Sequence, residues 1–257
     1  MKRLAVFILC LVCCYPAYLF GNKVYNKIIF HACASGPRES KKIALTFDDG
    51  PGASTEKVLE ILKEKDVKAT FFMLGSQVEK NPQLAKKIFE AGHEVQNHTY
   101  SHINFKEYKE KDKYEKMKDE LLRAEESIKK YTGVKPYLVR FPHGYSKDDA
   151  KKIASENGYK MMNWTFCCDY TNKLTAEEMH KQYASRIKGG AVFLMHDSWN
   201  YDGEMPNEKI LSFLGDLIDE IRAKGYELVT VSELKNGVYP TTLSLFQCFR
   251  FFSVIYS

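Results

Sequence analysis

The sequence lacks the features that mark several common classes of protein. No basic patch is interleaved with aromatic residues, which argues against binding of nucleic acid. The seven cysteines follow neither a zinc-ribbon pattern nor a disulfide framework, so we expect free thiols. The net charge is only +5, with 44% apolar and 28% charged residues, which indicates a globular chain rather than a disordered one. A length of 257 residues suits one large α/β domain with terminal additions.

The two termini differ in composition from the rest of the chain. Residues 1–20 begin with Met1-Lys2-Arg3 and continue as an uncharged apolar run, which predicts a signal anchor or a signal peptide and contact with a membrane. No small-residue cleavage pattern follows directly, which favours an uncleaved anchor. Residues 21–40 are predicted to be a tether, residues 41–238 the folded domain, and residues 239–257 an apolar tail too short to cross a membrane comfortably.

Short apolar segments alternate with amphipathic ones about seven times along the domain. This alternation predicts an α/β fold of about seven parallel strands with helical crossovers, closed or nearly closed as a barrel. The predicted strands after the first are Val67–Leu74, Glu94–Asn97, Tyr137–Phe141, Lys160–Phe166, Ala191–Met195 and Glu227–Val231. In such folds the active site lies at the carboxyl ends of the strands.

Two adjacent carboxylates, Asp48 and Asp49, end the first apolar run and precede a Gly-Pro breaker. On their own they fit an acidic turn as well as a functional site. His98 and His102 are four residues apart, and they would share one face if they began a helical turn. With Asp49 they would form a site of two histidines and one carboxylate, which suits Zn²⁺, with Co²⁺, Ni²⁺, Mn²⁺ or Fe²⁺ as competitors.

The remaining polar groups suggest proton transfer around such a cation. Asp48 could accept a proton from a water that the cation acidifies. His196 follows a buried strand and could protonate a leaving amine, although a histidine at a strand end is often only a satisfied polar group. Arg140 is either a surface residue of a strand or a guanidinium that orients Asp48.

Four segments in order resemble the motifs of the NodB-homology polysaccharide deacetylases, carbohydrate esterase family 4. They are Thr46–Gly50, His98–His102, Arg140–Gly144 and Leu194–His196, within residues 42–235. The resemblance implies a distorted (β/α) barrel and metal-dependent removal of N-acetyl groups from aminosugars of a polysaccharide. The roles that it implies are a base (Asp48), metal ligands (Asp49, His98, His102), an acid (His196), a support for the base (Arg140), an oxyanion donor (the backbone N–H of His143) and a wall for the acetyl methyl (Leu194).

The chain departs from the family pattern at two positions. His143 stands where the family usually has Tyr, and Cys167 stands where it has an Asp that tunes the acid histidine. His196 therefore either lacks its carboxylate partner or receives Asp169 instead, and Asp169 is also a candidate residue on the substrate side. Tyr145 and Trp199 are candidates for stacking on sugar rings, whereas Trp164 is expected in the core.

These features together predict an extracytoplasmic enzyme of the bacterial cell wall, a monomer acting on peptidoglycan. Two alternatives stay open, a chitooligosaccharide deacetylase and a catalytically weakened glycan-binding domain of the same fold. A nuclease or phosphoesterase is disfavoured because the sequence suggests no second cluster of metal ligands.

Overall fold

The computed structural model describes residues 33–198, Gly203 and residues 205–235. Residues 1–32, Trp199, Tyr201 and the tail 239–257 lie outside the described residues. The elements are β1 (Lys42–Asp48), α1 (Thr55–Glu64), β2 (Thr70–Met73), α2 (Gly75–Lys80), α3 (Pro82–Glu90), β3 (Glu94–Asn97), α4 (Lys113–Thr132), β4 (Leu138–Val139), a 3₁₀ turn (Pro142–Gly144), α5 (Asp148–Glu156), β5 (Lys160–Met161), α6 (Ala176–Ala184), β6 (Val192–His196), α7 (Glu208–Ala223), β7 (Glu227–Val229) and α8 (Val231–Lys235). Among the helices of these residues, none has the length and apolar character needed to span a membrane.

The strands form one parallel sheet in the order β5-β4-β3-β2-β1-β6, and β7 pairs with the start of β1. A bridge between Phe166 and Phe193 joins the segment after β5 to the edge strand β6, so the sheet curls back on itself. The predicted fold of about seven parallel strands with helical crossovers is therefore confirmed.

The central strand β1 is buried on both faces. Its side chains from Ile43 to Asp48 are all buried, because helices pack on one face of the strand and the other face lies inside the curled sheet. Helix α1 packs its apolar face, with Val58 and Leu62, into the same core. Because β1 lies between β2 and β6, the residues at its carboxyl end face the ends of both neighbours.

Two predicted strands are much shorter than expected. Only Leu138–Val139 and Lys160–Met161 pair in the ladder, because the chain beyond each turns away to other partners. Met162 forms a bridge with Cys33, and the backbone N–H of Asn163 donates to the Cys33 carbonyl over 2.7 Å. The predicted strand ending at Phe166 is thus split into β5 and a separate bridge.

The segment 33–40 is part of the domain rather than of a tether. Besides the contacts of Cys33, the backbone N–H of Gly36 donates to the Gly190 carbonyl over 2.8 Å. Gly190 has a φ of 74°, and a Cβ there would lie 2.5 Å from the Gly36 carbonyl oxygen, so only glycine allows this approach. Among the described residues, the segment before residue 41 therefore packs on the domain, although it was predicted to be a tether.

Candidate active site

Asp48 and Asp49 stand at the carboxyl end of β1. Asp48 pairs in register with His196 of β6. Asp49 follows with a φ of 75°, a left-handed conformation that is uncommon for an aspartate. Successive side chains of a regular strand point to opposite faces, whereas this turn brings both carboxylates to one histidine. His98 Nε2 is 3.6 Å from Asp48 Oδ2 and 3.3 Å from Asp49 Oδ1.

Arg140 is a fully buried cation beside Asp48. Its Nη1 donates to Asp48 Oδ1 over 2.6 Å and to Thr46 Oγ1 over 2.8 Å. Nε and Nη2 donate to the carbonyls of Met162 and Asn163, each over 3.0 Å. Burial lowers the pKa of Arg140, and the charge of Asp48 opposes that effect. The guanidinium is thus fixed in orientation, and it fixes the Asp48 carboxylate with Oδ2 toward His98.

Asp49, His98 and His102 bring three ligand atoms together, all within 4.8 Å of one another. His102 Nε2 is 3.2 Å from Asp49 Oδ1, and all three side chains are buried. His98 Nδ1 lies 2.6 Å from the Arg140 carbonyl, which places the ring proton on Nδ1 and leaves the Nε2 lone pair facing Asp49. Asp49 Oδ1 makes no hydrogen bond of good geometry among the described residues. This donor set fits a divalent ion such as Zn²⁺.

The pKa shifts in this cluster favour the protonation states that bind metal. Burial raises the pKa of Asp49, but the close contact with His98 and the charges of His102 and His196 outweigh it, so the pKa lies well below its usual range. Burial lowers the pKa of His102 to about 3, against the opposing charge of Asp49. An ionised carboxylate and a neutral imidazole are therefore present at neutral pH, as a metal site requires.

The two histidines converge through a loop and not through the helical turn that their spacing suggested. Residues 98–102 contain no helix, and Thr99 and His102 have φ values of 71° and 60°. The backbone N–H of Thr99 donates to Asn97 Oδ1 over 2.8 Å, which stabilises the first left-handed residue. The helical expectation was wrong because two left-handed residues bring the rings together more sharply than a helix would.

Glu120 holds this loop, and the sequence analysis missed it. It is fully buried in α4, and its Oε2 accepts hydrogen bonds from the backbone N–H groups of Ser101 (2.7 Å) and Tyr100 (3.2 Å). Its Oε1 accepts from Ser101 Oγ over 2.8 Å. The available signal was an acidic residue beside Leu121 on the apolar stripe of the helix, where a solvated charge is not expected.

Asp169 is the carboxylate partner of His196, which decides between the two alternatives left by the sequence. Asp169 Oδ1 is 3.0 Å from His196 Nδ1, and Oδ2 accepts from the backbone N–H of His196 over 2.8 Å. Asn207 Nδ2 donates to the same Oδ2 over 3.1 Å and to the His196 carbonyl over 3.0 Å. Asp169 is buried behind the histidine, so its predicted place on the substrate side is corrected to a positioning one.

The charge of Asp169 gives His196 the character of an acid. Burial lowers the pKa of His196, but Asp169 by charge and hydrogen bond, and then Asp49 and Asp48 by charge, raise it overall to about 10. The imidazole is therefore protonated at neutral pH. Its side chain is 20% exposed, so it can reach a ligand while its partner stays buried.

One pocket of about 540 Å³ opens onto these groups. It is lined by Asp48, His98, His102, Lys106, His143, Trp164, Cys167, Tyr170, Leu194 and His196. A volume of this size fits a sugar unit or two. The structure thus places the predicted residues His143 and Leu194 in the pocket wall. Trp164, which was expected in the core, also lines the pocket. So does Tyr170, which is 72% exposed.

Of the predicted stacking residues, Tyr145 is not among those that line the pocket. Tyr145 is 5% exposed, its ring packs near Phe105, and its hydroxyl donates to Asp149 over 2.8 Å. A ring packed inside the protein does not fit a sugar-stacking role. Trp199 lies outside the described residues, so its role stays a prediction.

Comparisons with known proteins identify the family of the chain. Residues 35–162 match the polysaccharide deacetylase family. A peptidoglycan-N-acetylglucosamine deacetylase of Bacillus cereus is 34% identical over 201 residues, which cover 77% of this chain and 90% of that protein.

Solved structures show the same fold. A peptidoglycan N-acetylglucosamine deacetylase in complex with a naphthyl-substituted N-hydroxybenzamide superposes with a TM-score of 0.71 at 30% identity, covering 79% of this chain and 91% of that one. A CE4 family pseudoenzyme from Bacillus anthracis superposes with a TM-score of 0.68 at 28% identity, covering 78% of this chain and 67% of that one.

Proposed function

Since the chain belongs to the polysaccharide deacetylase family, we propose that it removes N-acetyl groups from the aminosugars of peptidoglycan and releases acetate. The observation that carries this proposal is the convergence, at one pocket, of a three-ligand cluster, a carboxylate held by a buried arginine, and a protonated histidine. Hydrolysis of an amide needs these parts, an electrophilic centre, a base for water and an acid for the leaving amine.

Asp49, His98 and His102 would hold a divalent ion, for which we propose Zn²⁺ ahead of Co²⁺, Ni²⁺ or Mn²⁺. When bound, the ion would polarise the acetyl carbonyl and bring the pKa of a water to ~7. Asp48 would take the proton of the attacking water, and the support is that Arg140 binds Oδ1 and leaves Oδ2 facing the cluster. His196, protonated through Asp169, would deliver a proton to the leaving amine.

Other pocket residues would bind the substrate. The backbone N–H of His143 is proposed to donate to the developing oxyanion, and Leu194 to contact the acetyl methyl. Trp164 and Tyr170 are the aromatic residues among those that line the pocket outside the histidines, and they are proposed to pack against sugar rings.

Lys106 favours peptidoglycan over a chitooligosaccharide as the substrate. Its side chain lines the pocket, and its charge adds to burial in lowering the pKa of His143. The lactyl carboxyl of muramic acid is in amide linkage to the stem peptide, but the stem peptides of peptidoglycan carry free carboxylates, whereas chitooligosaccharides are neutral. An ammonium group at the pocket therefore complements the first polymer and not the second.

We also propose extracytoplasmic action by a monomer, attached to the membrane through residues 1–20 or secreted. The support is the polymer itself, because peptidoglycan lies outside the membrane, and the apolar run of residues 1–20. The glycan-binding alternative drew its support from the altered motif around Cys167, and the B. anthracis pseudoenzyme gives it weak further support. The contact between Asp169 and His196 favours turnover instead.

The test is acetate release by the purified full chain from peptidoglycan and, separately, from chitotetraose, with Zn²⁺ or Co²⁺ added. Asp48→Asn serves as the matched variant, since it keeps the size of the side chain and removes the base. We expect metal-dependent release from peptidoglycan that falls by about 10²–10⁴-fold in Asp48→Asn. Metal binding without release from either polymer would refute the deacetylase and favour the glycan-binding domain.

A further inference from the structure

A second set of ligand atoms lies beside the pocket and shares no residue with the first. Cys167 Sγ is 3.2 Å from Asp169 Oδ1, and the same oxygen is 3.0 Å from His196 Nδ1. The three atoms lie within 4.8 Å of one another. The sequence had suggested no second cluster, because Cys167 and Asp169 approach His196 only through the fold.

The chemistry of this cluster suits an ion that accepts sulfur. A thiolate, an imidazole and a carboxylate are the donors that Zn²⁺ and Co²⁺ accept together, at distances of about 2.0–2.3 Å. Tetrahedral ligands at those distances stand ~3.3–3.8 Å apart, so small side-chain movements would suffice. Asp169 Oδ2 is already held by the N–H groups of His196 and Asn207, which leaves Oδ1 for an ion.

Charge does not oppose occupation of this cluster. Burial and the charge of Asp169 raise the pKa of the Cys167 thiol, so the thiol is protonated, and His196 is protonated as well. A divalent ion would displace the thiol proton and the Nδ1 proton, releasing two protons to solvent. The net charge of the cluster then stays the same. Because both protons must be displaced, this site should be weaker than the first.

We propose that Cys167, Asp169 and His196 form a second, weaker metal site, and that its occupation inhibits the enzyme. Cys167 and His196 both line the pocket, so an ion can enter from solvent. An imidazole bound to an ion through Nδ1 keeps its Nε2 proton, but it is no longer an imidazolium and has lost its contact with Asp169, so it is a weaker proton donor to the leaving amine. The inhibitory part rests on the proposed deacetylation, whereas the binding part does not.

The test is a titration of the metal-free full chain with Co²⁺, followed by absorption. The first site holds no sulfur, so the first equivalent should give only weak visible bands. The second equivalent should add a near-ultraviolet band of thiolate-to-cobalt charge transfer, which Cys167→Ala removes. Cys168→Ala is the matched control, because the neighbouring Sγ points instead to the Met179 carbonyl at 3.8 Å.

Acetate release is measured along the same titration, and each protein is compared only with itself at the two metal levels. We expect the rate of the unaltered chain to fall about 10-fold or more as the near-ultraviolet band appears, with no such fall in Cys167→Ala. Absence of the band from the unaltered chain, or its persistence in Cys167→Ala, overturns the site. A band without a fall in rate overturns the inhibition. If no acetate is released at any metal level, the proposed function fails while the band still decides the site.

Discussion

The pairing of Asp169 with His196 can be tested by the substitution Asp169→Asn. The substitution keeps the shape of the side chain, but it removes the charge and puts an amide nitrogen on one side of the group. Both oxygens of Asp169 accept hydrogen bonds from N–H groups, so one donor must lose its acceptor. The first consequence is a weaker acid at His196, and the second is a loss of stability of about 1–3 kcal/mol.

The size of the effect follows from the hydrogen bond. A hydrogen bond to a charged group contributes about 1.5–3 kcal/mol, and one pKa unit corresponds to about 1.36 kcal/mol. With the charge lost as well, we expect the pKa of His196 to fall by about 2 units from its raised value of about 10. An ion at Asp49 offsets part of the neighbouring negative charge, so the high-pH limb of the unaltered enzyme should lie between 6.5 and 10.

The assay is the pH dependence of kcat/KM for acetate release, together with an NMR titration of the His196 ring. A raised pKa keeps the acid protonated below it, so activity is present at lower pH and falls tenfold per unit as the pH rises through that value. In Asp169→Asn the fall in kcat/KM should begin about 2 pH units lower. Asp148→Asn, a fully exposed aspartate, makes the same change of charge and should leave the limb unmoved. An unshifted limb and ring titration in folded Asp169→Asn would refute the assignment of Asp169.

Three further substitutions test the other groups. Arg140→Met should lower the free energy of unfolding by about 3–5 kcal/mol in urea, because it leaves Asp48 buried without its partner; an unchanged midpoint would contradict this. His102→Gln should weaken metal binding, measured by calorimetry, by more than about 100-fold, because loss of a residue that only supports a ligand typically costs about 10–100-fold. Equal affinity would remove His102 from the ligand set. Lys106→Gln should raise KM for a peptidoglycan oligomer that carries its stem peptides and not for chitotetraose, while the exposed Lys109→Gln should change neither; equal changes for both substrates would exclude recognition of the carboxylates.

The overall architecture was predictable because parallel strands and covering helices leave strong patterns in the sequence. The apolar run of β1 and the amphipathic face of α1 are both visible in the sequence. Helix α2 could not be predicted, because it is short and begins at Gly75. That glycine is required by close packing and not by helix propensity. A Cβ at Gly75 would lie 2.8 Å from Ala124 Cα. The lengths of β4 and β5 also depend on partners that are distant in the chain.

The candidate site was predictable in its residue types and less so in its geometry. The motifs located the metal ligands and the base, but the left-handed residues Asp49, Thr99 and His102 leave no compositional signal. The partner of His196 could not be chosen because the contact with Asp169 spans 27 residues. The role of Glu120 could not be predicted for a related reason. Its carboxylate oxygens accept hydrogen bonds from a loop that is near α4 in space but not in the sequence.

The docking of residues 33–40 on the domain limits how far the pocket can travel from a membrane. If residues 1–20 stay in the membrane as proposed, only residues 21–32 separate them from Cys33. A fully extended chain covers at most ~3.6 Å per residue, so the attachment point stays within about 40 Å of the membrane surface instead of about 70 Å for a tether that ran to residue 40. An enzyme attached in this way would act on the glycan strands nearest the membrane and would not reach the outer layers of the wall.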